Sequence, residues 1–140
     1  MTERERPKIL EANRAFYEAL ERRSFPEMES CWSHAEDVSC IHPGWHRLEG
    51  WLDVARSWQA IFSNSRAWRV AQEDERVVCA ADLAVVYCIE RLESVGGQGE
   101  PARMQATNIF RNEAGVWKVI HHHASPMPDL EAPEEEESVN

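Results

Sequence analysis

Leu83-Ala84-Val85-Val86-Tyr87-Cys88-Ile89-Glu90-Arg91-Leu92-Glu93 is the stretch that decides the fold. It is rich in β-branched and aromatic residues and has no glycine or proline, which reads as a strand. Side chains alternate across a strand, so Val86, Cys88 and Glu90 share one face and Val85, Tyr87, Ile89 and Arg91 the other. Period two extends on both sides. Ala67–Cys79 is a strand ahead of a turn at Ala81-Asp82. Met104–Arg111 and Val116–Ala124 are strands separated by the tight turn Asn112-Glu113-Ala114-Gly115. Gly96-Gly97-Gln98-Gly99 joins two strands, not a strand and a helix, so it is a hairpin loop and not a phosphate-binding fingerprint.

Before Arg66 the period is helical. Ile9, Ala12, Phe16, Ala19 and Leu20 recur at three- and four-residue spacing over 8–22. Ser24-Phe25-Pro26 opens a second, short helix, since proline suits a first turn. Asp37–His42 is a short strand stopped by Pro43-Gly44, and Gly50 opens a third helix over 51–63. Three N-terminal helices followed by hairpin-connected strands is an α+β order. A strongly curved antiparallel sheet with the helices on one face is expected, forming a cone with a pocket between sheet and helices.

The 140 residues are one domain's worth of chain, with a net charge of −10. Residues 129–140 hold Asp129, Glu131 and Glu134 to Glu137 and no base, so they account for six of those charges. The expected organisation is a domain over 1–128 and a disordered acidic tail over 129–140. An acidic body repels phosphate backbones, so no nucleic-acid partner is expected. Apolar runs are too short to span a membrane. The start, Met-Thr-Glu-Arg-Glu-Arg-Pro-Lys, shows no apolar signal core, so a cytoplasmic protein is expected. Reduced thiols are expected for Cys31, Cys40, Cys79 and Cys88, with Cys79 and Cys88 candidates to face each other across a hairpin.

Two stretches carry a resemblance: His42-Pro43-Gly44 through Gly50 to Phe62, and Gly97-Gln98-Gly99 through Thr107, Phe110, Gly115 and Trp117 to His123. Together they resemble the nuclear transport factor 2-like superfamily, most closely its SnoaL-like group. They are also similar to the association domain of calcium/calmodulin-dependent protein kinase II and to ketosteroid isomerase-like proteins. The resemblance implies a cone-shaped, cystatin-like fold over about residues 8–127. It fixes no chemistry, because such folds host isomerases, cyclases, dehydratases and non-catalytic modules. Where the kinase association domain has pocket arginines, this chain has Glu90 and Asn108. In ketosteroid isomerases the general base is an acidic residue before a proline at the end of the first strand; here that residue is His42. The isomerase helix-1 tyrosine corresponds to Phe16, and Tyr17, one position on, is turned away by about 100°.

The candidate catalytic residues are therefore His42 and Glu90, since an imidazole and a desolvated carboxyl suit proton transfer near neutral pH. In the last strand Trp117 and Val119 want a core, so strict alternation sends His121 and His123 inward and His122 outward. Asn108, His121, His123 and Phe110 are candidate ligand-binding residues from the strands, with Trp32 and Trp58 forming an aromatic rim. No cysteine or carboxylate completes a metal-ligand spacing with the histidines, and neither a metal nor another cofactor is expected.

Three functions fit. The first is a small-molecule enzyme doing acid–base isomerisation, cyclisation or dehydration on an apolar or cyclic substrate. The second is a non-catalytic binder of such a ligand. The third is a dimerisation or association module. A homodimer is expected because Val85, Tyr87, Ile89, Thr107, Ile109 and Ile120 are left on the outer sheet face, rimmed by Arg91 and Gln105.

Overall fold

The computed structural model describes residues 3–97 and 99–128. The acidic segment 129–140, expected to be disordered, and Gln98 of the glycine-rich loop lie outside the described residues.

Helix α1 spans Arg6–Arg22, with Pro7 in its first turn. It ends where Arg23 takes a left-handed conformation and its N–H returns to the carbonyls of Ala19 and Leu20. Ser24 then caps α2, Phe25–Cys31, its hydroxyl accepting from the Glu27 N–H at 3.2 Å. Helix α3 spans Trp51–Asn64. It follows Gly50 at φ 87°, a conformation that a side chain would strain. Helix α1 lies against α2 and across the sheet, and buries Ile9, Phe16, Ala19 and Leu20 as the spacing predicts. Asn13 and Tyr17 are also buried, so the inward face of α1 is wider than its apolar stripe.

The strands are β1 Ser39–Ile41, β2 Leu48–Glu49, β3 Trp68–Ala80, β4 Leu83–Ser94, β5 Ala102–Glu113 and β6 Val116–Pro126. They form one sheet in the order β2-β1-β6-β5-β4-β3. The four long strands are antiparallel neighbours, as expected. The sheet as a whole is mixed, because β1 runs parallel to β6. A three-residue strand reached through two helices has no hairpin to force antiparallel pairing. The β5–β6 turn places Ala114 at φ 55° and Gly115 at φ 90°, the two positive values of a tight hairpin. The Gly115 N–H there donates to Asn112 Oδ1 at 2.8 Å.

A bulge in β6 corrects the expected faces of the histidines. Phe110 is opposite Val119, but the next residue back, Ile109, is opposite His121, so Ile120 is the extra residue. Inward and outward positions exchange beyond it. Trp117 and Val119 are buried, Ile120 and His121 are both half-buried, and His122 and Ala124 are buried. His121 and His123 therefore share the outer face with Ile109 and Thr107, and His122 is the histidine inside. A second bulge, at Asp74 in β3, also shifts register. The two-residue turn at Ala81-Asp82 sets Cys79 opposite Ala84 and not Cys88, and all four cysteines are free thiols.

The core lies between the helices and the inner sheet face, where Phe16, Tyr17, Trp32, Trp58, Phe110 and Val119 are fully buried. On the outer face Val85, Ile89, Thr107 and Ile109 are half-buried and Tyr87 is 48% exposed, whereas Ile120, expected there, packs against the core at the bulge. No helix of the described residues is long and apolar enough to cross a membrane.

Candidate active site

Helices α1 and α3, the loop after β1, the start of β3 and the inner faces of β4, β5 and β6 surround a cavity of about 280 Å³. His42, Glu90 and His122 are its ionisable lining, and Trp45, Trp58 and Trp68 its aromatic wall. Leu20, Pro43, Ile61, Leu92, Met104 and Ser65 close the rest, the Ser65 hydroxyl donating to the Ile61 carbonyl at 2.5 Å. Trp45 is 44% exposed at the mouth, whereas Trp58 is fully buried, edge-on to His42 at 4.7 Å between ring centres.

Behind the cavity wall runs a chain of buried hydrogen bonds whose directions can be fixed in sequence. The Glu75 carboxylate accepts from Asn13 Nδ2 at 2.7 Å, which turns Asn13 Oδ1 toward Asn108. Asn108 Nδ2 donates to that oxygen at 2.9 Å and to the Tyr17 hydroxyl at 3.0 Å. Asn108 Oδ1 must then accept from His122 Nδ1, 2.6 Å away, so Nδ1 carries the ring proton. A neutral His122 is left with a bare Nε2, which lies 3.7 Å from Glu90 Oε2. The Tyr17 hydroxyl accepts from Asn108 and donates to Glu90 Oε2 at 2.8 Å.

His42 is fixed in the same way. The Ser57 hydroxyl donates to the Val54 carbonyl at 2.6 Å, so it accepts from His42 Nε2–H at 2.8 Å. Nδ1 is then the bare nitrogen, with only Cys40 Sγ near it at 3.9 Å.

Burial sets the charges. Desolvation raises the Glu90 carboxyl to about 7, against the opposing pull of the Tyr17 hydrogen bond. The same cause pushes His42 down to about 4. It pushes His122 well below the usual imidazole value, helped by the neighbouring histidines. Near neutral pH the wall thus presents two uncharged imidazoles and one carboxyl that readily gains or loses a proton.

The SnoaL-like domain family matches residues 9–129. The chain belongs to the SnoaL-like family. Its solved relatives include a candidate dehydratase of the nuclear transport factor 2-like family from Streptomyces avermitilis. That structure is 37% identical, with a TM-score of 0.79, over 88% of this chain and 96% of that one. A candidate calcium/calmodulin-dependent protein kinase type II association domain from Thiobacillus denitrificans is 34% identical, with a TM-score of 0.78, over 84% and 93% of the two chains. The F-box protein SKIP8 of Arabidopsis thaliana is 28% identical over 119 residues, 85% of this chain and 49% of that protein. The SnoaL-like chain thus spans about half of that relative's length. The cystatin-like cone implied by the sequence resemblance is the fold shared with these structures and with a cystatin-like protein from Nostoc punctiforme.

Of the residues singled out from the sequence, His42, Glu90 and Trp58 meet on the cavity wall. Asn108 is buried directly behind it, bonded to His122. Trp32 and Phe110 are core residues that do not line the cavity, and His121 and His123 are removed from it by the bulge. Sequence reasoning missed His122, Tyr17, Asn13 and Ser57. Asn13 and Tyr17 are four residues apart on α1, the spacing that puts two polar groups on one side of a helix.

Proposed function

We propose that the cavity binds a small, largely apolar molecule and that Glu90 moves a proton on it, as isomerisation, cyclisation or dehydration requires. The observation that carries this reading is a carboxyl buried on a cavity wall, held by Tyr17 and set beside the bare nitrogen of His122. A group that titrates near the working pH is the most effective proton carrier, and burial brings Glu90 to about 7. His42, at about 4, is too weakly basic to compete and serves as a hydrogen-bond acceptor. In a dehydration, Glu90 takes a proton from the carbon beside a carbonyl, the C–O bond to the leaving hydroxyl breaks, and Glu90 returns that proton so that water departs. The candidate dehydratase among the relatives supports this class of chemistry.

The test does not need the natural substrate. A tetralone incubated with the protein in heavy water exchanges the hydrogens beside its carbonyl, followed by NMR. The SnoaL-like domain is expected to accelerate this exchange, and Glu90→Gln to lower the rate by about a hundredfold or more. Equal rates with both proteins would contradict the reading.

One observation favours a second role, in association. The outer sheet face carries Val85, Ile89 and Ile109 around an exposed Tyr87, which is apolar area of the kind a partner covers. The candidate association domain among the relatives has the same fold. Homodimerisation through that face is compatible with a working cavity on the other side of the sheet.

A further inference from the structure

Building on that proton-transfer reading, we infer that the ligand is an uncharged ring compound of about ten to twelve non-hydrogen atoms bearing a hydroxyl that donates to His122 Nε2. Its size follows from the cavity. A void of about 150 Å³ holds one benzene ring, so about 280 Å³ holds a little under twice that, a fused pair of small rings. Its shape follows from the walls, since Trp45, Trp58 and Trp68 offer flat apolar surfaces and the aliphatic lining offers no hydrogen bond.

The charge of the ligand follows from what lines the cavity. Neither lysine nor arginine is among the lining residues, and both histidines are held neutral. A carboxylate or phosphate would enter without a countercharge, which a buried anion does not tolerate. A cation would find indole faces and Glu90, but it would pull the carboxyl permanently into its charged form. Glu90 could then no longer pass a proton back and forth.

The hydroxyl follows from the direction of the hydrogen bonds. The chain from Glu75 through Asn13 and Asn108 commits His122 Nδ1–H, and Ser57 commits His42 Nε2–H. What remains on each ring is an acceptor nitrogen: Nε2 on His122, beside Glu90 in the cavity lining, and Nδ1 on His42, beside the Cys40 thiol. A ketone or ether oxygen has nothing to donate to His122 Nε2, whereas a hydroxyl does, and it can accept from protonated Glu90 beside that nitrogen.

A matched set of fused-ring probes tests this by calorimetry near neutral pH: tetralin, tetralol, aminotetralin and tetralin carboxylate. Tetralol is expected to bind tightest, about tenfold tighter than tetralin, the value of one good hydrogen bond. The amine and the acid are expected to bind more weakly than tetralol. Met104→Trp, which fills the cavity, is expected to abolish tetralol binding. The inference is overturned if the amine or acid binds tightest, if tetralin equals tetralol, if no probe binds, or if Met104→Trp binds unchanged. Glu90→Gln separates it from the proton-transfer reading: loss of the exchange reaction with the hydroxyl preference kept supports both. Exchange in the wild type without that preference sinks the ligand class alone. A preference without any exchange in the wild type sinks the proton transfer on which the choice of an uncharged ligand rests.

Discussion

The Tyr17 hydroxyl donates a 2.8 Å hydrogen bond to Glu90 Oε2, tying the middle of α1 to the inner face of β4. Both side chains are buried, and the same hydroxyl accepts from Asn108 on β5. One helix residue therefore orients the carboxyl and braces two strands at once.

Tyr17→Phe keeps the ring and removes only that hydroxyl. It is expected to destabilise the fold by about 1–3 kcal/mol, because Asn108 and Glu90 lose a buried partner. It should also move the Glu90 midpoint above about 7, since the Tyr17 bond is what opposes desolvation there. Urea unfolding checks the first effect, and a carboxyl titration the second. A midpoint that falls would show that Tyr17 is not the donor.

The three consecutive histidines should behave unlike one another. His122→Ala removes a buried, hydrogen-bonded ring and is expected to cost about 2–4 kcal/mol. His123→Ala, at an exposed position, should stay within about 0.5 kcal/mol. Denaturant midpoints of the two variants test the β6 bulge directly. A regular β6 would reverse the order.

Stability should respond to pH in opposite directions through Glu90 and His42. The folded protein holds the Glu90 proton up to about 7, whereas an unfolded glutamate releases it near 4.5. That contribution is complete below 4.5 and is lost as pH rises through 7. His42 is the reverse, contributing above 6.5 and losing its share as pH falls through 4. Glu90→Gln cannot ionise, so wild type should lose stability relative to it between pH 5 and 8, by an amount on the order of 3 kcal/mol. A constant difference across that range would mean that Glu90 does not titrate there.

On the outer face, Tyr87→Arg should leave the fold intact and break self-association. Analytical ultracentrifugation is expected to show a dimer for the wild type and a monomer for the variant. A monomeric wild type at micromolar concentration would remove the association role as proposed.

The sequence carried the long elements well because each repeats its period many times. Leu83–Ile89 is an unbroken run of strand-forming apolar residues, with burial alternating over Ala84–Glu90, and α1 and α3 show apolar residues at three- and four-residue spacing. The parallel pairing of Ser39–Ile41 was hidden because three residues hold no pattern that distinguishes their partner. The face of His122 was hidden for a sharper reason. Identical residues at 121, 122 and 123 show no alternation, so only the core preference of Trp117 and Val119 set the phase, and the bulge at Ile120 then changed it. Tyr17 stands about 100° round the helix from Phe16, which in a narrow buried stripe would turn it away from the cavity. A helix laid across a concave sheet buries a broader arc, wide enough for Phe16 and Tyr17 together.

The central claim is that Glu90 is a proton carrier poised near neutral pH on the cavity wall. Carbon-13 NMR of glutamate-labelled protein, titrated from pH 4 to 9 with Glu90→Gln for assignment, measures it most directly. The account predicts one carboxyl signal with a midpoint near 7, absent from the variant. A Glu90 midpoint near 4.5, with the surface glutamates, would contradict it.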